Sequence, residues 1–568
     1  MKRLAQWIKE TLLRQEVLYG WFVFVMMLPS LVLAMTEPMS VWVRIASVLL
    51  PLAAYLVAFC AFRKPGYFLL TCFVILLING YQLVLIYLFS EAVISPDSFL
   101  NIVTTDGGES GELMRTIWPA VLLACVLYFS AMAMAVYSVC SHRRLSTSFI
   151  KNACLTAIIP AAFGMCSLSI NAGKGFPFAA DHHIYPLNAL HNLQFAVDKY
   201  AKIRNYPHTS AEFTFDAQKG SSPADSLREV ILLVIGETTR AANMELYGYP
   251  RPTTPLLSRQ EGLLVFPDML TQGNATQRIV PMILSTASAE DFGVIYERKS
   301  VTTAFKECGF TTFFLSNQVP DRAFIDYFAA EADSMVRLRD LIPQSEHPYD
   351  TEGIPFIADF IDRTSGPLFI VYHTYGAHFE YAQRYPEEAA CFTPYKAGAL
   401  RYKERPLFVN AYDNAICNVD RTLAGLIRVL DRPDLCSSML YLSDHGEDLM
   451  DDERKMFLHC SPVPTYYQVH IPFLAWTSAG FRQTYPEAQA ALEANRTKPV
   501  STRSVFHTLL SMADIRSPYL ADSLSVASPA FAITERHFID EHDEPVNFFN
   551  VGLKSQDWAM MKRMGIEF

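Results

Sequence analysis

The chain has 568 residues, of which 51% are hydrophobic and 18% charged, with a formal net charge of −10. That apolar share is high for one soluble protein and natural for a membrane segment joined to a globular domain. The acidity is mild, and no basic block occurs outside a few short loops, which excludes a nucleic-acid footprint.

In chain order, five apolar stretches come first, at residues 17–35, 41–62, 67–89, 118–140 and 149–170. Each is long enough to cross a bilayer core, which takes about 20 helical residues. Lys2, Arg3, Lys9 and Arg14 precede the first stretch, Arg63 and Lys64 lie between the second and third, and Arg143, Arg144 and Lys151 between the fourth and fifth. Positive flanks of this kind face the cytoplasm. The connection over 91–116 instead carries Glu91, Asp97, Asp106, Glu109 and Glu112 against Arg115. Five spans put the remainder of the chain on the outer side. The first stretch is longer than a signal-peptide core and has no small-residue cleavage site, so it reads as an uncleaved anchor. The expected division is a transmembrane domain over 1–170, a linker over 171–224 and an outer catalytic domain over 225–568.

Within the linker, Leu187, Leu190, Leu193, Phe195, Ala196 and Tyr200 share one face of a helical pattern. Such a helix either lies on the membrane surface or packs on the outer domain, and the pattern alone leaves both open. The outer domain holds Cys308, Cys391, Cys417, Cys436 and Cys460. Five cysteines allow at most two disulfides within one chain, and their connectivity is not readable from spacing.

From about residue 226, short β-rich runs at 230–235, 311–315, 368–372 and 439–442 alternate with helical stretches such as 408–430. This is the pattern of an α/β domain with a mostly parallel sheet and helices on both faces. Ligands in such sheets collect beyond the C-terminal strand ends, where Glu237, Asn317, His378, Asp444 and His445 fall. Two strand ends share one layout, Ile235-Gly236-Glu237-Thr238 and Leu442-Ser443-Asp444-His445. A divalent cation needs carboxylates and a neutral imidazole held rigidly, and these strand ends can supply both.

A nucleophile is offered by Gly273-Asn274-Ala275-Thr276-Gln277-Arg278, with Pro281 in the first turns of a helix expected to start there. Backbone N–H groups at a helix start favour phosphate, and a metal on the Thr276 oxygen would make it an alkoxide. An ordinary helix N-cap is the alternative for Thr276, and also for Glu237 and Asp444 taken singly. N-capping does not call for an Asp-His pair, a distant Glu and a helix-start Thr together; metal ligation does. A helix is expected after His445, with Glu447 and Asp448 in its first turn orienting the imidazole. Asp451, Asp452 and Glu453 read as a solvated face, and Arg240 as a brace for the loop after Glu237.

Taken together, Gly236-Glu237-Thr238-Thr239-Arg240-Ala241-Ala242-Asn243, Tyr247-Gly248-Tyr249 and Thr253-Thr254-Pro255 resemble the opening motif of membrane-bound bacterial phosphoethanolamine transferases, in the alkaline phosphatase and sulfatase superfamily. Thr276, His378 with Arg384-Tyr385-Pro386, Ser443-Asp444-His445-Gly446-Glu447, and Leu458-His459 with Pro462 and Gln468 are similar to the later motifs of that family in order and spacing. The resemblance implies a zinc ion held by Glu237, Thr276, Asp444 and His445. It implies His378 and His459 as phosphate binders, proton donors or ligands of a second metal ion. The implied reaction moves phosphoethanolamine from phosphatidylethanolamine through a phosphoethanolamine-threonine intermediate to an envelope acceptor, lipid A being the simplest. The implied setting is the bacterial inner membrane, with a cytoplasmic N-terminus, a periplasmic catalytic domain and a monomeric protein. Within the same fold the alternative is a phosphoglycerol transferase using phosphatidylglycerol. A sulfatase would carry Cys or Ser in a Cys-x-Pro-x-Arg setting, from which Thr276-Gln277-Arg278 departs, and a non-catalytic scaffold would be expected to lose metal ligands. Two departures from the resemblance are the small number of outer cysteines and Cys460 in place of a glycine after His459.

Overall fold

The computed structural model describes residues 11–37, 39–89, 93–104, 107–220, 227–343, 348–398 and 401–567. Lys2, Arg3, Lys9, Glu91 and Asp106, and the expected domain boundary near 225, lie outside the described residues. The chain forms two compact units, one of 1–103 and 113–198, the other of 104–112 and 199–568.

The first unit is helical. Its helices are α1 (Gln15–Thr36), α2 (Val41–Ala58), α3 (Gly66–Thr71), α4 (Phe73–Phe89), α5 (Pro96–Thr104), α6 (Gly107–Cys140) and α7 (Thr147–Gly173). Among the described residues, four helical segments are long and apolar enough to cross a membrane: Gln15–Thr36, Val41–Ala61, Ile117–Cys140 and Thr147–Gly173. The expected third span is instead split. Cys72 leaves helical geometry at φ −86° and ψ 20° between α3 and α4, and the apolar helix beyond it is shorter. Several polar groups inside the bundle pair with one another, as apolar surroundings favour. Gln15 Nε2 donates to the Ser138 carbonyl at 3.0 Å while Ser138 Oγ donates back to Gln15 Oε1 at 2.6 Å. Tyr185 donates to Asn79 Oδ1 at 2.7 Å.

The expected linker helix runs over Leu187–Thr209. Its buried stripe is Ala189, Asn192, Ala196, Lys199, Ile203 and Tyr206, whereas Leu187 and Leu190 are exposed. The inward face is thus rotated from the leucine stripe read in the sequence, with small and polar residues filling it as far as Lys199, and Ile203 and Tyr206 beyond.

The second unit is built on seven strands: β1 (Arg228–Gly236), β2 (Leu263–Phe266), β3 (Thr311–Ser316), β4 (Ser334–Arg337), β5 (Leu368–His373), β6 (Leu435–Ser443) and β7 (Phe473–Thr477). Their order in the sheet is β2-β7-β6-β1-β5-β3-β4. The five strands from β6 to β4 pair in parallel, and β7 and β2 continue the sheet antiparallel, so the sheet is mixed. Along β1 the alternation of a pleated strand sends Ile231, Leu233 and Ile235 into one apolar core and Val230, Leu232 and Val234 into another. All six side chains are buried, each worth about 1.5–3 kcal/mol. Both sheet faces are therefore covered, which explains the unbroken apolar runs of the parallel strands. Two helices matter below, α8 (Thr276–Leu284) and α9 (Arg405–Leu430).

Candidate active site

Register places the first acids. β1 and β6 are parallel neighbours with Gly236 opposite Ser443, so the next residues, Glu237 and Asp444, leave the sheet side by side. Both are buried, as is His445. Asp444 Oδ1 is held by the backbone N–H of Thr238 at 3.1 Å and of His445 at 2.7 Å. The Ser443 hydroxyl accepts from Thr239 N–H at 2.8 Å and donates to the His445 carbonyl at 2.9 Å. Thr238 has φ +51°, a left-handed turn by which the chain leaves β1 sharply. Gly376, at φ +50°, lets the loop after β5 lie directly on Glu237; a Cβ there would sit 2.5 Å from the Glu237 carbonyl oxygen.

Thr276 opens α8, and its hydroxyl lies in this cluster: 3.0 Å from Glu237 Oε1, 3.2 Å from Oε2 and 3.0 Å from His445 Nε2. His445 Nδ1 is 2.9 Å from the Gly446 carbonyl, which makes Nδ1 the N–H donor and leaves the Nε2 lone pair facing the cluster. His445 Nε2 is 3.2 Å from Asp444 Oδ2 and 3.6 Å from Glu237 Oε1. Ligand atoms of Glu237, Asp444 and His445 all lie within 4.8 Å of one another. Asp444 Oδ2 is buried without a hydrogen-bond donor, which a buried carboxylate oxygen rarely tolerates. Two carboxylates, one imidazole nitrogen and one hydroxyl, with that oxygen left over, fit a small tetrahedral cation.

His378 and His459 border the same cluster. The His459 ring centroid lies 4.2 Å from that of His445 and 6.3 Å from that of His378. His378 stacks on Tyr375 at 5.0 Å, and its Nδ1 lies 2.6 Å from the Phe379 carbonyl. Burial, then the nearby Arg384, pushes the His378 imidazole well below its ordinary value. Burial lowers His459 to about 4, and lowers His445 against the opposing pull of Asp444. Both residues flanking His459 have left-handed backbone, Leu458 at φ +68° and Cys460 at φ +62°, so the imidazole is presented by a tightly turned segment.

Other expectations resolve differently. No helix follows His445: the chain turns into the short strand Asp448–Leu449, which pairs antiparallel with Phe457–Leu458. Glu447 therefore does not orient His445. It holds His459 instead, with Oε2 3.3 Å from His459 Nδ1 and Oε1 accepting from Tyr381 at 3.1 Å. Burial raises Glu447 to about 8. Asp451, expected in solvent, is buried between Arg240 at 2.7 Å and Arg405 at 2.9 Å. Arg240 does brace the loop, donating to Asn243 Oδ1 at 2.6 Å and to the Glu447 carbonyl at 2.9 Å. Asn317 points away, donating to Asp350 Oδ1 at 2.8 Å, and Asp350 in turn accepts from Tyr375 and Gly376 N–H.

The group at that strand end that does reach the cluster is the next residue, Gln318, which donates to Glu237 Oε2 at 3.1 Å. Sequence reasoning missed it by one position, and its place just past β3 was the available signal. Asn274 was also unassigned. Its amide donates to Gln468 Oε1 at 2.6 Å and to the Ser461 carbonyl at 2.8 Å, tying the Thr276 loop to the His459 segment.

The sulfatase family model matches residues 229–515. A phosphoethanolamine transferase, EptC of Escherichia coli O18:K1:H7, is 28% identical over 333 residues, 57% of this chain and 56% of the relative, so the chain spans little more than half the length of the curated relative it matches. The crystal structure of the C-terminal periplasmic domain of EptC from Escherichia coli in complex with Zn superposes with a TM-score of 0.54 at 26% identity, over 60% of this chain and 97% of that one. The integral membrane lipooligosaccharide phosphoethanolamine transferase A of Neisseria meningitidis shares the fold over 89% of this chain and 98% of its own, with a TM-score of 0.70 at 23% identity.

Proposed function

The chain belongs to the sulfatase family, and from that premise we propose that it is a membrane-embedded phosphoethanolamine transferase with Thr276 as its nucleophile. The donor is phosphatidylethanolamine and the acceptor an envelope lipid, lipid A being the simplest. One observation carries this reading: the Thr276 hydroxyl at the start of α8 lies within 3.2 Å of both Glu237 and His445.

In the first half-reaction Thr276 Oγ attacks phosphorus, a P–O bond to threonine forms, and the bond to diacylglycerol breaks. In the second, an acceptor oxygen displaces threonine and takes the phosphoethanolamine group. Glu237 accepts the Thr276 hydroxyl hydrogen bond and fixes the direction of Oγ, and the seating of Glu237 by Gly376 and Gln318 keeps that direction constant. His445, with Nδ1 tied to Gly446, presents only a lone pair toward Oγ. His378 and His459 stand on the other side of the cluster, where they bind phosphate oxygens or hand a proton to the departing glycerol oxygen. Their lowered basicity favours the neutral form, which suits contact with phosphate or a cation more than proton donation, and the Glu447 link orients His459. Glu237, Thr276, Asp444 and His445 would hold a zinc ion, which would supply Lewis acidity to the Thr276 oxygen and the phosphate. A second ion at His378 and His459 belongs to the same proposal.

The membrane arrangement we propose has five spans, the fourth-and-fifth-span loop and the N-terminus in the cytoplasm, and a monomer with residues 225–568 in the periplasm of a bacterial inner membrane. Donor and acceptor lipids are confined to the bilayer, so an attached catalyst need not extract them. The exposed Leu187 and Leu190 support a linker helix resting on the membrane surface.

Purified full-length protein in detergent, offered headgroup-labelled phosphatidylethanolamine and phosphatidylglycerol in parallel, is expected to retain label from the former on Thr276, located by peptide mass spectrometry. Thr276→Ala should carry no label while folding normally. Label persisting in Thr276→Ala would refute the nucleophile, and label from phosphatidylglycerol alone would refute the donor.

A further inference from the structure

Among the outer cysteines, Cys391 and Cys417 stand apart because two distant segments bring them together. Cys391 lies in the strap that leaves His378, and Cys417 lies mid-way along α9. The strap is fixed to one face of that helix. Asn414 Oδ1, one turn before Cys417, accepts from the backbone N–H of Cys391 at 2.7 Å and of Phe392 at 2.8 Å. Arg421, one turn after it, donates to Cys391 Sγ at 3.4 Å and to the Ala389 carbonyl at 2.8 Å. Residues 414, 417 and 421 share a helix face, so the Cys391 sulfur is held over the turn that carries Cys417. The strap and the helix thus make Cys391 and Cys417 neighbours, and the nearby Cys391 thiol adds to the upward push of burial on the Cys417 thiol. Cys391 is exposed and Cys417 buried.

We infer that Cys391 and Cys417 are a built disulfide site, closed by thiol–disulfide exchange with an external disulfide and locking the His378 strap to α9. Cys391, the accessible partner, attacks a sulfur of the oxidant and forms a mixed disulfide, releasing one thiol. Cys417 then attacks the Cys391 sulfur and expels the second thiol. One S–S bond forms between the cysteines, the oxidant's S–S bond is broken, and the two cysteine protons and two electrons end on the released thiols. Burial pushes the Cys417 thiol up, so the second attack is the slow one.

The strap also carries Arg384, which donates to the His378 carbonyl at 2.9 Å, and whose own carbonyl accepts from Asn418 on α9 at 2.9 Å. The bond therefore ties down the segment that seats His378. That an oxidising compartment surrounds this domain rests on the periplasmic placement proposed above, whereas the chemistry of the pair does not.

The test uses the purified full chain, reduced and then incubated with oxidised glutathione as the only oxidant. Peptide mass spectrometry without reduction is expected to show first a glutathione adduct on Cys391 and then a Cys391–Cys417 crosslink two hydrogens lighter than the dithiol. The oxidised protein should melt several degrees above the reduced one, and Cys391→Ser and Cys417→Ser should each abolish both the crosslink and the redox-dependent melting shift while leaving transfer activity near wild type. A permanent glutathione adduct on Cys391, a crosslink to any other cysteine, or a melting shift that survives in both variants would overturn the assignment. Because the oxidation is done in solution, its failure is separate from any error in membrane orientation, which accessibility of Cys391 to an impermeant thiol reagent in intact cells carrying Cys417→Ser would reveal.

Discussion

Gly376→Ala tests whether the close seating of Glu237 sets the geometry of the site. At Gly376 a Cβ would lie 2.5 Å from the Glu237 carbonyl oxygen and 2.7 Å from its nitrogen, against 3.4 Å or more for an ordinary contact. Both clashing atoms are backbone, so relief requires Glu237 or the loop to move by about an ångström, a displacement of the size that costs roughly 100-fold in rate when it reaches the reacting groups. That corresponds to about 2.7 kcal/mol of lost transition-state stabilisation. The left-handed backbone adds a separate stability cost of about 1–2 kcal/mol. Gly309→Ala is the matched control: its φ is +81° and nothing lies within 4 Å of the added carbon, so it carries the backbone cost alone. Headgroup transfer by the full chain in detergent, with zinc content measured on the same samples, should show Gly376→Ala about 100-fold slower and poorer in metal. Gly309→Ala should keep wild-type turnover and melt about 2–8 °C lower. Wild-type turnover and zinc content in Gly376→Ala, or an equal loss in Gly309→Ala, would refute the reasoning.

Asp451→Asn should cost about 3–5 kcal/mol of stability, because it leaves Arg240 and Arg405 without the buried charge between them; a denaturant midpoint unchanged from wild type would contradict that pairing. Glu447→Gln weakens the hold on His459 and is expected to lower kcat about 10–100-fold with KM little changed, whereas an effect confined to KM would place His459 in substrate binding alone. Chelation should abolish transfer and lower the melting temperature, and zinc at about 100 times its Kd should restore about 2.7 kcal/mol of stability. A melting curve indifferent to zinc would count against the cluster of Glu237, Asp444 and His445 as a cation site.

The sequence made the central strands legible because β1, β3, β5 and β6 are buried on both faces, and a strand buried on both faces is an unbroken apolar run. The antiparallel strands β2 and β7 escaped notice: Leu263–Phe266 is only four residues long, and Phe473–Thr477 directly follows a segment dominated by motif residues. The break at Cys72 was invisible for a different reason, since composition stays apolar across it while only the backbone angles change. At the site, Glu237, Asp444 and His445 could be read together because N-capping, the ordinary use of an acid after a strand, does not call for an Asp-His pair and a distant Glu in one chain. The partnership of Glu447 with His459 could not. It depends on a hairpin whose turns place Met450, Lys455 and Leu458 at positive φ, residues that do not announce such geometry as glycine would. Asp451 followed the same hairpin inward, away from the solvent its charged neighbours suggested.

The register that sets Gly236 opposite Ser443 has a bearing on how the protein is made. The neighbours Glu237 and Asp444 come from opposite ends of a long stretch of chain, so during synthesis the first acid waits without its partner until β6 has emerged and inserted beside β1. Non-local pairing of this kind closes late. A nascent or truncated chain therefore carries only isolated carboxylates, and the proposed cation site is assembled once the interior of the sheet is complete.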